Sequence, residues 1–140
     1  MTRPVTPECP CGSGRPYRAC CGPLHQGAPA PTAEALMRSR YSAFVLALEH
    51  YLLETWHPTT RPQRLDLAGE PCPQWLGLKV RGHAEEGPDR AVVEFLARYL
   101  VGGRAHRLHE VSRFVREDGR WYYLAGEPGA PSRPSGGGGR

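Results

Sequence analysis

Lysine is nearly missing from this chain. Of 18 basic residues only Lys79 is a lysine, and the rest are arginine. So lopsided a ratio follows a GC-rich coding bias, so the arginines are not read as individually selected phosphate forks. Long apolar runs are missing too. Nothing approaches the roughly 18 residues that a spanning helix needs, so no membrane segment is expected. The N-terminal "MTRPVTPECP" has no apolar core of a secretory leader, and a cytoplasmic protein is the expectation. The charge is modest. A net +4 with a pI near 9.0 falls short of the basic extreme that marks a nucleic-acid binder. Gly12-Ser13-Gly14 is not followed by Gly-Lys-Ser/Thr, which excludes a phosphate loop.

Cysteine is what the chain does have, and four of its 5 cysteines crowd into "ECPCGSGRPYRACCG", Glu8 to Gly22. Metal ligation, disulfides and a redox couple are the candidates. A reducing compartment disfavours structural disulfides. A bridge between the adjacent Cys20 and Cys21 would strain the intervening peptide. No C-x-x-C spacing is present for a thioredoxin-like couple. Two pairs of thiolates, Cys9 with Cys11 and Cys20 with Cys21, suit one tetrahedral Zn²⁺ at about 2.3 Å from each sulfur. An iron–sulfur cluster is the softer-ligand rival. His25 is a nearby competitor for the metal, although a solvated loop histidine is the expectation. Cys72 is the odd cysteine and reads as a plain, partly buried thiol.

The spacing C-x-C-x8-C-C with its glycines resembles the SEC-C zinc motif. That motif occurs at the C-terminus of the preprotein translocase motor and in small bacterial proteins. The resemblance implies one structural Zn²⁺ and docking to a protein or ribonucleoprotein partner. Charge argues against a phosphate-seeking knuckle. Arg3, Arg15 and Arg18 outnumber Glu8, but a zinc with four thiolates carries two net negative charges and cancels the excess.

After this knuckle (residues 1–25), residues 26–31 read as a linker set among Pro23, Pro29 and Pro31, and it is expected to separate two small cores. Thr32 is a candidate N-cap. Met37, Tyr41, Phe44, Val45 and Leu48 then form one helical stripe. Arg38 and Arg40 sit at its opposite edges, about 80° from its centre at 100° per residue. Each either snorkels outward or reaches inward to a buried acid. A second short helix is expected in "EHYLLETW". Arg61 to Pro73 reads as irregular.

From Gln74 the period becomes two. Four strand-like runs are separated by "EEGPD", "GG" and "DG", the last two being two-residue hairpin turns. Pairing across Gly102-Gly103 sets Phe95 opposite Glu110 and Val93 opposite Ser112. Pairing across Asp118-Gly119 sets Phe114 opposite Tyr123. One face then holds Val93, Phe95, Ala97, Leu108, Phe114, Trp121 and Tyr123, and Leu76, Leu78 and Val80 fit it. The other holds Glu94, Arg98, Arg107, His109 and Arg113 and reads as solvent-facing. Glu110 and Ser112 are anomalous on the apolar face, because a lone buried carboxylate is costly. Glu110 is therefore either paired with a helix arginine, displaced by a register slip that turns His109 inward, or part of a pocket floor.

The fold class is thus α+β: an N-terminal zinc knuckle, then N-terminal helices packed on a curved antiparallel four-stranded sheet over 32–126, with 127–140 a disordered tail. This arrangement resembles the nuclear-transport-factor-2-like cone. The strings "PTAEALMRSRYSAFV", "YLLETWHP", "LHEVSRF" and "GRWYYL" resemble the YchJ family of small bacterial proteins, for which no activity is established. Two functional readings follow. In the favoured one the protein is a non-enzymatic adaptor, with the knuckle docking a macromolecule and the cone offering a small-ligand pocket. In the other it is a cone-type enzyme of proton transfer, isomerisation or dehydration with Glu110 as general base. The candidate pocket residues are Arg40, Tyr41, His57, Phe95, Glu110, Ser112 and Trp121. The strong signal is the metal, and the catalytic constellation is only inferred from the fold.

Overall fold

The computed structural model describes residues 8–65, 67 and 73–128. Arg3, Cys72 and the tail from residue 129 onward lie outside the described residues, as does most of the central part of the stretch read as irregular.

Chain order is a single 3-10 turn at Tyr17–Ala19, then α1 (Cys21–His25), α2 (Ala33–Leu46), α3 (Glu49–Glu54), and strands β1 (Gln74–Glu85), β2 (Arg90–Val101), β3 (Arg104–Glu117) and β4 (Arg120–Pro128). Thr32 caps α2: its backbone is extended and its side chain accepts from Ala35 N at 3.0 Å. The helix ends at Ala47, which turns left-handed at φ 59°. Leu48 N–H then closes onto Ala43 O, the 6→1 bond of a Schellman-type stop.

The sheet is a meander in the order β1-β2-β3-β4. Gly102-Gly103 and Asp118-Gly119 form the tight hairpins, all four residues having positive φ. The pairing is the expected one: Phe95 faces Glu110, Val93 faces Ser112 and Phe114 faces Tyr123. His109 points to the outer side and bonds Glu94, so no slip turns it inward. Three details differ from the sequence reading. A bulge at Leu76 breaks the alternation of β1, so Leu76 is 45% exposed while Trp75 turns toward α2. A bulge in β4, between Tyr123 and Ala125, brings Gly126 opposite Ser112. And β4 runs on through Glu127 and Pro128, taken above for tail; Glu127 pairs with Arg113.

Helix α2 is buried on more than its expected stripe. Met37 and Tyr41 are buried, but so are Leu36, Ser39, Arg40, Ser42 and Ala43, whereas Val45 is 37% exposed. The reason is that α2 has two neighbours. The sheet lies on one side, and the knuckle with α3 lies on the other. Cys9, Cys11, Cys21 and Leu24 accordingly share one core cluster with Leu36, Tyr41, Phe95 and Phe114. The expectation of two small cores parted by a linker is corrected by this packing.

Candidate functional site

The four knuckle cysteines converge. Their sulfurs all lie within 4.8 Å of one another. Cys11 Sγ is 3.5 Å from Cys20 Sγ, and Cys20 Sγ is 4.0 Å from Cys21 Sγ. Sulfurs about 2.3 Å from a tetrahedral ion lie about 3.8 Å apart, so the cluster fits one metal ion. Local structure explains the glycines of the motif. Gly12 follows the ligand pair at φ +81° and turns the chain, with its N–H returning to Cys9 O. A side chain at Gly22 would strike Tyr17 O at 2.9 Å.

Four clustered thiolates, three of them buried, cannot all stay charged without a cation. Within the cluster the Cys11 thiol is pushed down to about 4, chiefly by the hydrogen bond from Cys21. The same bond pushes Cys21 up, and burial pushes Cys20 up. A metal ion would replace these shared protons, which is the ordinary coupling of metal binding to thiol deprotonation.

Helix α2 supports the cluster. Ser42 Oγ donates to Cys21 Sγ at 3.3 Å and lies 3.5 Å from Cys9 Sγ. Arg38 donates to Cys11 O and pairs with Glu34. Such contacts orient ligands and tune their affinity. His25 takes no part in ligation, and it is not a solvated loop residue. Its Nδ1 is 2.6 Å from Tyr17 Oη, its Nε2 is 2.8 Å from Ser39 O, and its ring meets Tyr51 edge-on. Burial lowers its pKa from the ordinary value. It is a clamp between the knuckle and the helices.

On the other side of α2, the sheet and the segment after α3 enclose a cavity of about 160 Å³. Arg40, Tyr41, Phe95, Glu110 and Ser112 line it. His57 and Trp121 do not. His57 lies 2.9 Å from Glu117 and against Tyr122 at the sheet edge. Trp121 is buried beneath Arg116, facing a separate surface groove beside Arg120. The reason lies in β4, where Tyr123 faces the cavity two residues further along than Trp121.

Among the described residues, no arginine seals Glu110. Ser112 Oγ donates to its Oε2 at 2.8 Å, and Tyr123 lines the cavity beside the same carboxylate. Burial, helped by that carboxylate, pushes Tyr123 up to about 12, so it remains a neutral donor. Gly126 makes the space: a Cβ there would overlap Glu110 Oε2 and crowd Tyr123 Oη at 2.8 Å. Arg40 is 6% exposed. Its Nη1 donates to Leu52 O and to Thr55 Oγ1, each at 2.7 Å. Its guanidinium carbon lies 4.6 Å from the Tyr123 ring centre and 5.1 Å from that of Trp56, within cation–π range. Burial lowers its pKa to about 10, which still leaves it charged at neutral pH.

Comparison with known proteins agrees with both halves. Residues 8–23 match the SEC-C motif, and residues 32–126 match the middle NTF2-like domain of YchJ. The chain belongs to the YchJ family. A UPF0225 protein of Methylibium petroleiphilum is 59% identical over 87% of this chain and 90% of its own length. One from Ralstonia nicotianae is 55% identical over 87% and 92%. Two solved structures of SEC-C motif containing proteins share the fold. The solution structure from Rhodopseudomonas palustris has a TM-score of 0.77 at 39% identity, over 87% of this chain and 98% of that one. The crystal structure from Psychrobacter arcticus has a TM-score of 0.70 at 32% identity, over 89% and 84%.

Against this family background, sequence reasoning missed Trp56, Trp75 and Tyr123 as cavity walls. Trp56 reaches the cavity because His57 N bonds Tyr123 O and Tyr123 N bonds Thr55 O, a bridge between a loop and a strand. No local pattern announces such a pairing. Trp75 required the bulge. Tyr123 was on the apolar face already, and its partner Phe114 could have drawn attention to it. Among the described residues, no helix is long and apolar enough to cross a membrane.

Proposed function

We propose that this protein is a zinc-stapled, non-enzymatic binding module whose cone takes a small molecule. The cavity carries this reading. It is walled by aromatic rings and has Arg40, Glu110 and Ser112 as its few convergent polar groups, the usual make-up of a small-ligand site. Zinc is the metal because the donor set is four thiolates drawn around a single point. A multi-iron cluster sets its own irons and sulfides between the thiolates and needs a wider cage. The knuckle's inner side is taken up by α2, so a protein or ribonucleoprotein partner would meet its outer turn, where Gly14, Arg15, Arg18 and Ala19 are exposed. Reduced, metal-held thiols accord with a cytoplasmic setting. The test is a fragment screen on the zinc-loaded full chain followed by amide chemical shifts. Perturbations centred on Arg40, Phe95, Glu110 and Tyr123 are expected. A screen in which no fragment moves them would sink the reading.

A second reading makes Glu110 a general base, and its open position in the cavity favours it. The two part on turnover: a ligand recovered chemically unchanged after long incubation supports the binding module.

A further inference from the structure

Among the described residues of the cone, Arg40 is the buried charged side chain, and it is only partly satisfied. Nη1 spends both its protons, on Leu52 O and Thr55 Oγ1. Nε and Nη2 have no hydrogen-bond acceptor among the described residues, only the faces of Tyr123 and Trp56. A guanidinium offers five donors, and a buried charge with unused donors is costly. Among the described residues, Glu110 is the only carboxylate lining the cavity. It attracts Arg40 electrostatically, yet the two are not among the ion pairs within 4.0 Å. The ring of Tyr123 lies under Arg40, and its hydroxyl and the Glu110 carboxylate both crowd Gly126. Glu110 in turn has lone pairs beyond the one that Ser112 uses. One cavity thus presents an unfilled donor edge and an unfilled acceptor, held apart, against walls that include Trp75, Phe44 and Phe95.

We infer that the cavity takes a small carboxylate with a flat apolar body and a hydroxyl or amine beside the carboxylate. The carboxylate lies on the free donors of Arg40, and the neighbouring O–H or N–H donates to Glu110. This inference rests on the proposed ligand-binding function and names the ligand's class. Charge is consistent with it. Arg40 keeps its proton at neutral pH and balances the incoming carboxylate, while Glu110 selects a donor and rejects a second anionic group. A plain apolar molecule would fill the walls and leave both polar groups unmet. A plain carboxylate would satisfy Arg40 and set its second oxygen against Glu110.

The test is calorimetric or chemical-shift titration of the zinc-loaded chain with four probes of one body size: mandelate, phenylacetate, 2-phenylethanol and toluene. Mandelate should bind tightest, with phenylacetate and 2-phenylethanol each weaker by about tenfold or more, the usual worth of a hydrogen bond to a charged group. In Arg40→Lys the fork is lost and the point charge kept, so the preference for mandelate over 2-phenylethanol should shrink. In Glu110→Gln the preference for mandelate over phenylacetate should shrink. Should Arg40→Lys not fold, the wild-type ranking decides alone. Equal binding of all four probes, or a preference for 2-phenylethanol, would overturn the inference and leave the pocket standing. Binding by none of them, toluene included, would overturn the pocket reading together with it.

Discussion

Helix α2 carries a polar centre on each side, and the two are built to opposite rules. Met37, Arg40, Tyr41 and Phe44 fall within an arc of about 100° and face the cavity. Arg38, Ser39 and Ser42 fall roughly opposite and face the knuckle. On the knuckle side the polar groups are closed among themselves. Thiols meet thiols and Ser42, Arg38 meets a carbonyl, and His25 meets Tyr17 and Ser39. What is left over is the charge that a metal ion would supply and the remaining donors of Arg38, whose side chain is partly exposed. On the cavity side the groups keep spare capacity: free donors on Arg40, free lone pairs on Glu110, and space between them. A centre that closes on a bare ion belongs to the fold. A centre left open suits the exchangeable ligand proposed for the cavity.

The largest effect that tests this contrast is removal of the metal. Structural zinc in small knuckles contributes binding energy that is folding energy, about 10–16 kcal/mol in finger peptides. Here the knuckle shares a core with the cone. Cys11→Ser, or a strong chelator, should therefore lower the melting temperature of the whole chain in one cooperative transition. Calorimetry reads this directly. A cone that melts unchanged beside an unfolded knuckle would show that the two sides of α2 are energetically separate.

Next in size is Gly126→Ala, which attacks the open side. The new methyl would overlap the Glu110 carboxylate. Overpacking of this kind costs about 1–3 kcal/mol. It should also drive Glu110 out of its place and abolish fragment binding in the cavity, while leaving the metal content at one ion per chain. Denaturant titration and elemental analysis together check it. Loss of the metal as well would mean that strain in the cone crosses α2 to the knuckle.

These two regions were also unequally legible in the sequence. The knuckle is a local object. Its ligands lie within thirteen positions, so spacing alone named Cys9, Cys11, Cys20 and Cys21 as a set. The sheet register was nearly as accessible, because two-residue turns fix pairing by counting, and that count set Glu110 opposite Phe95. What failed were features set by other elements. Bulges at Leu76 and after Tyr123 shift which side chains face inward; Gly77, a glycine within the strand, was the one signal of the first. Arg40 was left between outward and inward because an amphipathic stripe assumes one buried face, and α2 has two. His25 looked like a loop histidine because its partner Ser39 lies fourteen residues away on another helix.

A smaller effect is expected from Ser42→Ala. The substitution removes a hydroxyl that donates to Cys21 and touches Cys9, without changing a ligand. Loss of such a supporting contact typically lowers metal affinity about 10–100-fold. Competition against a calibrated zinc chelator would measure it, and the cavity's ligand affinity should hold. An unchanged zinc affinity would mean that the cluster is set by its own turn and needs nothing from α2.

The smallest effect on stability is expected from Glu110→Gln, and its smallness is the point. Were Glu110 the partner of a buried arginine, neutralising it would leave that arginine uncompensated, at a cost of about 3–5 kcal/mol. Arg38 is instead taken by Cys11 O and Glu34, and Arg40 by Leu52 O and Thr55. Glutamine keeps the shape of the side chain and an amide oxygen to accept from Ser112. The unfolding free energy should then change by less than about 1 kcal/mol, the worth of an ordinary hydrogen bond. Ligand affinity should fall over the same substitution, since the group with spare acceptor capacity has lost its charge. A loss of stability near the ion-pair figure would move Glu110 from the open centre to the closed kind, and α2 would then carry two structural centres instead of one.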